Sequence, residues 1–330
     1  MRRSVTWAEL GSLARLAPSP HNAQPYRIRP RNDHRADIVL LTDRLLPRED
    51  HGNLYVASAF GIFAATLVRA GLHFGVEVCV TADPLIDPSR LEYAGPEVRV
   101  GEATIRGAVQ AVEQARLLDA RRTSRIPYDG QVVEAESILA FTDVASRRDH
   151  RFVSYSDDIT VRSVLRLNAD AIIDNLRLDA EREEIRPWYR AGETPAHGDG
   201  LWETPMNQTA WTMRAAFDAP RVVGAPGIRQ LARWSYVRTQ RGTRHVGLLC
   251  GRFGRWRELV SAGEMLLELW LTMAARGVYM HPMGSMLTNP RYAREIAARF
   301  GVGDCWLVFR FGRGAEPPRA PRIHNIVISE

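Results

Sequence analysis

The chain has 330 residues, 45% of them hydrophobic and 25% charged, which is the composition of a globular protein with one large or two medium domains. All 44 Lys+Arg positions are arginine, which excludes enzymes that need a Schiff-base lysine or a phosphate-loop lysine. The formal charge of +6 comes from arginines mixed with acids along the chain, unlike the concentrated basic face of a nucleic-acid binder.

The three cysteines, Cys79, Cys250 and Cys305, are far apart and odd in number. This pattern is typical of buried thiols in a reducing compartment and not of a disulfide framework or a zinc site. The first residues lack the apolar run of a signal peptide, and the longest apolar stretch, 54–68, is shorter than a membrane span. We therefore expect a cytoplasmic protein without a metal, a membrane or a nucleic-acid partner.

Hydrophobic periodicity predicts helices and strands that alternate along the chain. Helical spacing predicts helices over 5–17, 53–70, 105–120, 133–145, 159–182, 263–276 and 292–300. Alternation and short apolar runs predict strands over 26–29, 38–41, 74–80, 98–100, 152–155, 306–311 and 325–328. The runs 67–72 and 273–278 both close an apolar helix at a glycine and begin a strand, which is compatible with a duplicated α+β unit.

Residues 186–245 interrupt this alternation with many prolines and tryptophans and little periodicity. Long irregular segments of this kind are often lids or binding insertions. They also occur as structural excursions that pack on the surface, and both interpretations stay open here.

A proline-rich segment at 18–26 reads Pro-Ser-Pro-His-Asn-Ala-Gln-Pro-Tyr. Its prolines hold the backbone extended, and its polar side chains offer donors and acceptors that suit the edge of a planar heteroaromatic ligand. A capped turn is the structural alternative. The polar residues concerned are Ser19, His21, Asn22 and Gln24.

Three other segments could contact a phosphate or a ring. Residues 121–125, Arg-Arg-Thr-Ser-Arg, could surround a phosphate, or they could be a solvated helix end. Residues 282–285, Pro-Met-Gly-Ser, could bring backbone N–H groups close to a ligand, or they could be a simple turn. Arg322 could add another guanidinium to a phosphate site.

Taken together, these segments resemble the FMN-dependent nitroreductase superfamily, and in particular its fused, two-lobed Acg-type members. Residues 18–26 match the P-S-x-x-N-x-Q-P-(aromatic) motif, and Arg121, Thr123 and Arg125 match the Arg-x-(Ser/Thr)-x-(Arg/Lys) element. The resemblance covers most of the chain except 186–245. It implies a nitroreductase-like α+β fold of two fused, pseudo-symmetric lobes, each with a mostly antiparallel sheet flanked by helices.

The resemblance also implies a set of cofactor-binding residues for FMN. The arginine element and Arg322 would hold the phosphate, the proline-rich segment would touch the ring or the ribityl chain, and backbone at 282–285 would face flavin N5. No side chain is expected to be catalytic, because flavin N5 carries the chemistry. The residues implied are Ser19, Pro20, His21, Asn22, Arg121, Arg122, Thr123, Arg125, Pro282, Met283, Gly284, Ser285 and Arg322.

In ordinary members of that superfamily the arginine element precedes the proline-rich motif within one subunit, and two subunits share each site. Here the order is reversed, so the first lobe, 1–112, has only the proline-rich motif. The second lobe, 113–330, has only the arginine element and includes the possible lid at 186–245. We therefore expect one FMN site per chain between the lobes, and a monomer that acts as a fused pseudo-dimer.

The function that this implies is an FMN-dependent oxidoreductase that transfers hydride through flavin N5 to a small-molecule acceptor, with NAD(P)H as the donor. The alternative is a non-catalytic protein that stores FMN behind a covered flavin, if residues 186–245 shield the ring.

Overall fold

Two antiparallel sheets form the framework of the molecule. The computed structural model describes residues 4–192 and 198–329. Its strands are β1 (Tyr26–Pro30), β2 (Arg35–Leu41), β3 (Val76–Ala82), β4 (Glu97–Ala108), β5 (Arg151–Tyr155), β6 (His245–Cys250), β7 (Tyr279–Pro282) and β8 (Cys305–Gly312). Within the described ranges they form two four-stranded sheets, β1–β2–β4–β3 and β5–β6–β8–β7, in which all neighbouring strands are antiparallel. The α+β class is therefore confirmed, with one sheet on either side of position 112.

Helices flank both sheets. In chain order they are α1 (Trp7–Ala14), α2 (Leu54–Phe74), α3 (Ala115–Ala120), α4 (Ala135–Ser146), α5 (Asp158–Asn175), α6 (Asp179–Ile185), α7 (Glu203–Met206), α8 (Ala210–Asp218), α9 (Pro220–Val223), α10 (Pro226–Thr239), α11 (Trp256–Ala275), α12 (Ser285–Thr288) and α13 (Pro290–Phe300). Capping explains several of the starts: Thr6 and Glu9 form a capping box at α1, and Asp157 caps α5.

The two long apolar helices, α2 and α11, cross at a pair of glycines. A Cβ added to Gly61 would lie 2.0 Å from the carbonyl oxygen of Val260, and one added to Gly263 would lie 1.8 Å from that of Ser58. The backbones therefore touch, which no other residue type permits. Beside the crossing, Phe60 stacks on Trp256 with ring centroids 5.2 Å apart.

The crossing reveals a pseudo-two-fold relation between the halves. The helix starts Leu54 and Trp256 are separated by a certain number of residues. The same number separates Gly61 from Gly263 and Gly75 from Gly277. Both sheets also share the same strand order. The similarity between runs 67–72 and 273–278 therefore identified the correct pair of helices. However, it aligned the two helices one turn out of register.

The predicted end of the first long helix at Gly71 is wrong. The helix α2 continues to Phe74 and is closed by Gly75, whose φ of 76° suits a left-handed cap. Gly71 lies inside the helix, where an added Cβ would lie 2.5 Å from a methyl group of Val78. Close packing of β3 on the helix, and not termination, explains this glycine.

The resulting segment at 51–74 is long and apolar enough to cross a membrane, contrary to the shorter stretch expected from the sequence. However, 72% of its most apolar window is buried inside the protein. That burial is the environment of a core helix.

The helix predicted over 105–120 is also wrong in its first half. Residues up to Ala108 belong to β4, where Ile105 pairs with Val78 and Ala103 pairs with Val80. The sheet satisfies these backbone groups, so the helix α3 begins only at Ala115. Long-range strand pairing has overridden the local helical pattern.

Three further predictions differ from the structure. The helix expected over 263–276 begins earlier, at Trp256. The helix expected over 159–182 breaks into α5 and α6, because Leu178 is extended and α6 turns toward the first lobe, where Glu184 accepts backbone N–H groups of Arg48 and Glu49 at 3.0 Å. Residues 186–245, expected to be irregular, contain α7 to α10. Residues 193–197 of that segment lie outside the described ranges.

The C-terminal tail returns to the first sheet. Ile28 of β1 donates its N–H to Ile326 at 2.8 Å and accepts from Ile328 at 2.9 Å. The final strand predicted at 325–328 is thus a single parallel bridge between Ile28 and Val327. This tail ties the end of the chain to the edge of the first lobe.

Candidate functional site

A single large cavity between the two halves collects every residue that the sequence predicts for the site. Its volume is about 1240 Å³, larger than the roughly 300–1,000 Å³ of ordinary ligand pockets. Its lining includes Ser19, Pro20, His21, Asn22, Arg121, Arg122, Thr123, Arg125, Pro282, Met283, Gly284, Ser285 and Arg322. Segments that lie far apart in the sequence are therefore brought to one place.

The proline-rich segment has an unusual backbone at this cavity. Pro20–Asn22 forms a tight turn in which His21 (φ 46°) and Asn22 (φ 56°) are left-handed, followed by Gln24 (φ 49°). Non-glycine residues in that region cost about 1–3 kcal/mol each and cluster at functional sites. The strained turn is held by tertiary hydrogen bonds to the second half of the chain.

Those hydrogen bonds use the amides of the motif. The Asn22 side chain donates to the carbonyls of Gly200 at 3.1 Å and Pro321 at 3.0 Å and accepts from Arg322. Gln24 donates to the carbonyl of Gly198 at 2.8 Å. Both amides thus fix the cavity wall, and Asn22 also fixes the position of the Arg322 guanidinium.

One end of the cavity carries the guanidinium groups of buried Arg121 and half-buried Arg322, which have no carboxylate partner among the described residues. Arg121 and Arg322 both donate to the carbonyl of Leu16, at 3.3 Å and 3.5 Å, and neither forms an ion pair with any described residue. Nη1 of Arg121 is buried with no hydrogen-bond partner in the described chain. The Arg121 guanidinium lies 4.7 Å from the centroid of the Trp270 ring.

The charge of this end is reflected in the pKa values. Burial, together with the nearby charge of Arg322, lowers the pKa of Arg121 to about 9. Burial and the charge of Arg15 lower the pKa of Arg322 to about 10. Both groups still carry a charge at neutral pH, and an anion placed between them would satisfy it.

Arg122, predicted for the same site, is engaged differently. Its guanidinium forms ion pairs with Asp119 at 3.2 Å and Glu316 at 2.6 Å. It lines the cavity but its charge is already neutralised. Thr123 forms a bridge to Met280 of β7, which fixes the whole element against the second sheet.

Arg125 occupies a different part of the cavity from Arg121. Burial lowers its pKa, while the hydroxyl groups of Tyr189 and Tyr236 act in the opposite direction. The guanidinium of Arg125 makes one hydrogen bond to the described residues, a long contact of 3.4 Å to the carbonyl of Pro205. The element 121–125 therefore presents two cations to two separate regions.

The end of β7 presents free backbone donors. The N–H of Met283 is bound to the carbonyl of Val308 at 2.8 Å and is not available to a ligand. The N–H groups of Gly284 and Ser285, at the start of α12, bind no acceptor within the described residues. An added Cβ at Gly284 would meet nothing within 4 Å, so the site there is open.

Sequence reasoning missed His281 and Arg310. Arg310 is fully buried in β8, donates from Nε to His281 Nδ1 at 3.2 Å, and donates to the carbonyls of Ser124 at 2.9 Å and Ile126 at 2.8 Å. Burial and the charge of Arg310 hold the pKa of His281 well below its ordinary value. His281 is therefore neutral, accepts at Nδ1 and carries its proton on Nε2.

The signals for this pair were weak in the sequence. An arginine inside the apolar strand 306–311 was the only sign of a buried polar contact. A histidine directly before Pro282 is equally compatible with an exposed turn, so it did not point to the cavity.

Glu49 is another residue that sequence reasoning missed. It lines the cavity and forms a short hydrogen bond with His21 Nε2. Burial would lower the pKa of His21, but the charge and hydrogen bond of Glu49 raise it above the ordinary value. The neighbouring Asp50 caps α2, accepting from the N–H groups of Tyr55 and Val56, and burial raises its pKa to about 7.

No metal centre accompanies these groups in the part of the chain that the structure describes. Among those residues, no three histidine, cysteine or acidic side chains come together as metal ligands. The chemistry that the cavity offers is therefore that of cations, amide donors, one imidazole–carboxylate pair and apolar surface.

No family model matches the chain, and no curated protein matches it. Among solved structures, an FMN-dependent nitroreductase from Mycobacterium smegmatis in complex with NADPH is 21% identical, with a TM-score of 0.37 over 63% of this chain and 92% of that chain. A nitroreductase with bound FMN from Desulfitobacterium hafniense is 13% identical, with a TM-score of 0.36 over 62% and 92%. A nitroreductase-like family protein from Bacillus cereus is 10% identical, with a TM-score of 0.35 over 66% and 94%. The solved proteins to which this chain is similar are thus nitroreductases and nitroreductase-like proteins.

Proposed function

We propose that the protein is an FMN-dependent oxidoreductase of the nitroreductase-like superfamily. The observation that carries this proposal is the meeting of two motif segments, 18–26 and 121–125, at one cavity with two unpaired guanidinium groups. A dianionic phosphate is the ligand that such a pair of cations recognises best.

The phosphate would lie between Arg121 and Arg322, with the Thr123 hydroxyl as a further donor. The residues fit this group because the two cations lack carboxylate partners and Nη1 of Arg121 has no acceptor in the described chain. Charge-assisted hydrogen bonds of this kind contribute about 1.5–3 kcal/mol each. Arg122, whose charge is already paired, would support the element without touching the ligand.

The flavin ring would lie against the turn at Pro20–Asn22 on one side and the end of β7 on the other. Gly284 and Ser285 offer N–H donors toward the N5 edge, where they would stabilise negative charge on the reduced ring. Arg125, apart from the phosphate end, would face the ring with Tyr189 and Tyr236 beside it. FMN itself would supply the hydride chemistry, and the protein would bind and orient it.

The cofactor site would need both lobes, residues 1–112 and 113–330. Asn22 belongs to the first lobe and contacts Arg322 of the second, so the two halves form one wall. We infer one FMN per chain and a monomer that needs no second copy to complete the site. The three free thiols suit the reducing cytoplasm in which we place the protein.

NAD(P)H would be the electron donor and a small organic molecule the acceptor. The test is to load the protein with FMN, titrate the bound flavin, and add NADPH or NADH without oxygen. We expect one FMN per chain and loss of the flavin absorbance band within seconds to minutes.

The same experiment separates the rival functions. Bound flavin that neither nicotinamide bleaches would favour a storage protein over a reductase. Protein that takes up no FMN would overturn the proposal.

A further inference from the structure

The helix α10 buries part of its charged side chains and exposes its apolar ones, which is the reverse of a usual surface helix. Its arginines Arg229 and Arg233 are half-buried in ion pairs with Asp170 and Asp174 of α5. Its apolar side chains point outward instead: Leu231 is 63% exposed, and Ile228 is 44% exposed. A surface helix normally does the reverse, so this face is suited to an apolar ligand.

The outward face of α10 is continuous with the cavity of the proposed cofactor site. Ile228 and Leu231 line that cavity, as does Trp211 of α8, which is 76% exposed. The cavity therefore opens to solvent between α8 and α10, and its mouth is apolar.

An apolar path leads from this mouth to the proline-rich turn. In α8, Met213 and Phe217 are buried and line the cavity. The Phe217 ring lies 4.4 Å from that of Tyr189, and the Tyr189 ring lies 6.2 Å from the His21 ring. The path thus starts at exposed apolar side chains and ends at the His21–Glu49 pair.

The ion pairs of α10 explain why the face that this helix turns toward the path carries no charge. Arg229 and Arg233 are drawn to the opposite side of the helix by Asp170 and Asp174. The face toward the cavity retains Ile228, Leu231 and the small residue Ala232. A charged substrate would find no partner there.

We propose that this path binds the long apolar tail of an uncharged electron acceptor, whose redox-active head reaches the inner cavity near His21. This inference rests on the proposed function, since the head must meet the flavin. A cavity larger than ordinary single-ligand pockets has room for such a molecule beside the cofactor. Continuity with the cavity favours a substrate tail over a second copy of the chain or a membrane surface.

The test compares two probes with the same head, 2-decyl-1,4-benzoquinone and 2-methyl-1,4-benzoquinone, below the micelle concentration of the former. Binding is measured by calorimetry to protein with oxidised FMN and to FMN-free protein, without nicotinamide, so that no turnover is needed. Each buried methylene strengthens binding roughly fourfold. We expect the decyl probe to bind at least about 100-fold more tightly.

The variants Leu231→Glu and Ile228→Glu should reduce this ratio to below about tenfold while the methyl probe binds as before. The matched control is Leu139→Glu on α4, because Leu139 is 69% exposed and does not line the cavity. It should leave the ratio unchanged. Thermal unfolding of all variants verifies that they fold.

Equal affinity for the two probes, or a ratio that survives both variants, would overturn the inference. So would a change of oligomeric state, or loss of vesicle binding, in Leu231→Glu but not in Leu139→Glu, since the face would then bind a copy or a membrane. Flavin absorbance in the same samples reports FMN uptake. Wild-type protein that binds FMN but does not distinguish the two probes therefore refutes only this inference, whereas wild-type protein that binds no FMN refutes the proposed function.

Discussion

Arg121 and Arg322 give the inner end of the cavity its character. An unpaired buried charge is costly, and the cost is several kcal/mol per ion when no partner compensates it. Arg121 is nevertheless buried and Arg322 half-buried, and among the described residues their partners are carbonyl groups, the Asn22 amide and an aromatic ring. Such an arrangement lowers the stability of the ligand-free chain and is what we expect of the proposed phosphate site.

The unpaired charge of Arg121 predicts opposite effects of one substitution on stability and on FMN binding. Arg121→Met should leave the free energy of unfolding of FMN-free protein equal to or above that of the wild type, because it removes an uncompensated charge. The same change should weaken FMN binding roughly 10- to 100-fold. Urea unfolding without FMN and a fluorescence titration with FMN measure the two quantities.

Arg122→Met is the matched control from the same element. Because Arg122 is paired with Asp119 and Glu316, its removal should lower stability and change FMN affinity less. If the two variants lost FMN affinity equally, the assignment of the phosphate to Arg121 would be wrong.

The His21–Glu49 pair predicts a pH dependence of stability. Glu49 raises the pKa of His21 in the folded chain, so the stabilisation is fully present below the unfolded pKa, about 6.5, and is lost as pH rises through the folded pKa. The difference in unfolding free energy between wild type and Glu49→Gln should therefore be larger at pH 5.5 than at pH 9.

Glu49 also raises the pKa values of Asp50 and Glu184, so the single variant is not sufficient. Repeating the comparison with His21→Asn isolates the histidine, since asparagine tolerates the left-handed backbone. In the His21→Asn protein, the effect of Glu49→Gln on the unfolding free energy should differ less between pH 5.5 and pH 9. If the effect of Glu49→Gln on the unfolding free energy did not depend on pH in either protein, the proposed His21–Glu49 interaction would be wrong.

Among the elements, the crossing of α2 and α11 is the most constrained. The backbones touch at Gly61 and Gly263, so Gly263→Ala should destabilise the chain by about 1–3 kcal/mol or more through overpacking. The matched control is Gly227→Ala in α10, where an added Cβ meets nothing within 4 Å. Helix propensity predicts that the control is neutral or slightly stabilising.

Thermal or urea unfolding of both variants measures this difference. A harmless Gly263→Ala would mean that the two helices are farther apart than the structure places them.

Helix and strand prediction succeeded where local pattern and tertiary pairing agree. The strand at β8 and the helix at α13 followed their apolar patterns within a few residues. Residues 105–108 did not, because β3 pairs with them across the sheet, and no local window contains that partner. Glycine was also ambiguous: Gly75 ends a helix, whereas Gly71 only permits close packing.

The sequence motifs predicted which segments meet at the cavity, and the function of that cavity stays a prediction. Segments 18–26 and 121–125 carried a recognisable order of residues, and both line the cavity. Glu49, His281 and Arg310 carried no such order, since their importance arises from folding that brings distant segments together. The exposed apolar face of α10 could not be predicted from the sequence either. It depends on ion pairs between arginines of α10 and acids of α5, which are distant in the chain.

The molecule as a whole behaves as two lobes that share a core. One hydrophobic cluster includes α2 of the first half and α11 of the second, and the tail at 326–328 pairs with β1. The boundary near 112 stays a prediction, and because of the shared core we expect that neither part alone would bind the proposed cofactor.

Expression of residues 113–330 without the first lobe tests this statement. We expect a fragment that does not retain FMN, because it lacks the turn at Pro20–Asn22 and exposes the glycine face of α11. Co-expression with residues 1–112 should restore FMN binding at least in part. Tight FMN binding by the second fragment alone would contradict a shared site.

The central claim is that one flavin is held across both halves of the chain. A crystal structure of the full chain with FMN tests it most directly. We predict a single FMN whose phosphate contacts Arg121 and Arg322 and whose ring lies between Pro20–Asn22 and the N–H groups of Gly284 and Ser285. A flavin bound wholly within one lobe, or with its phosphate away from both arginines, would contradict the account.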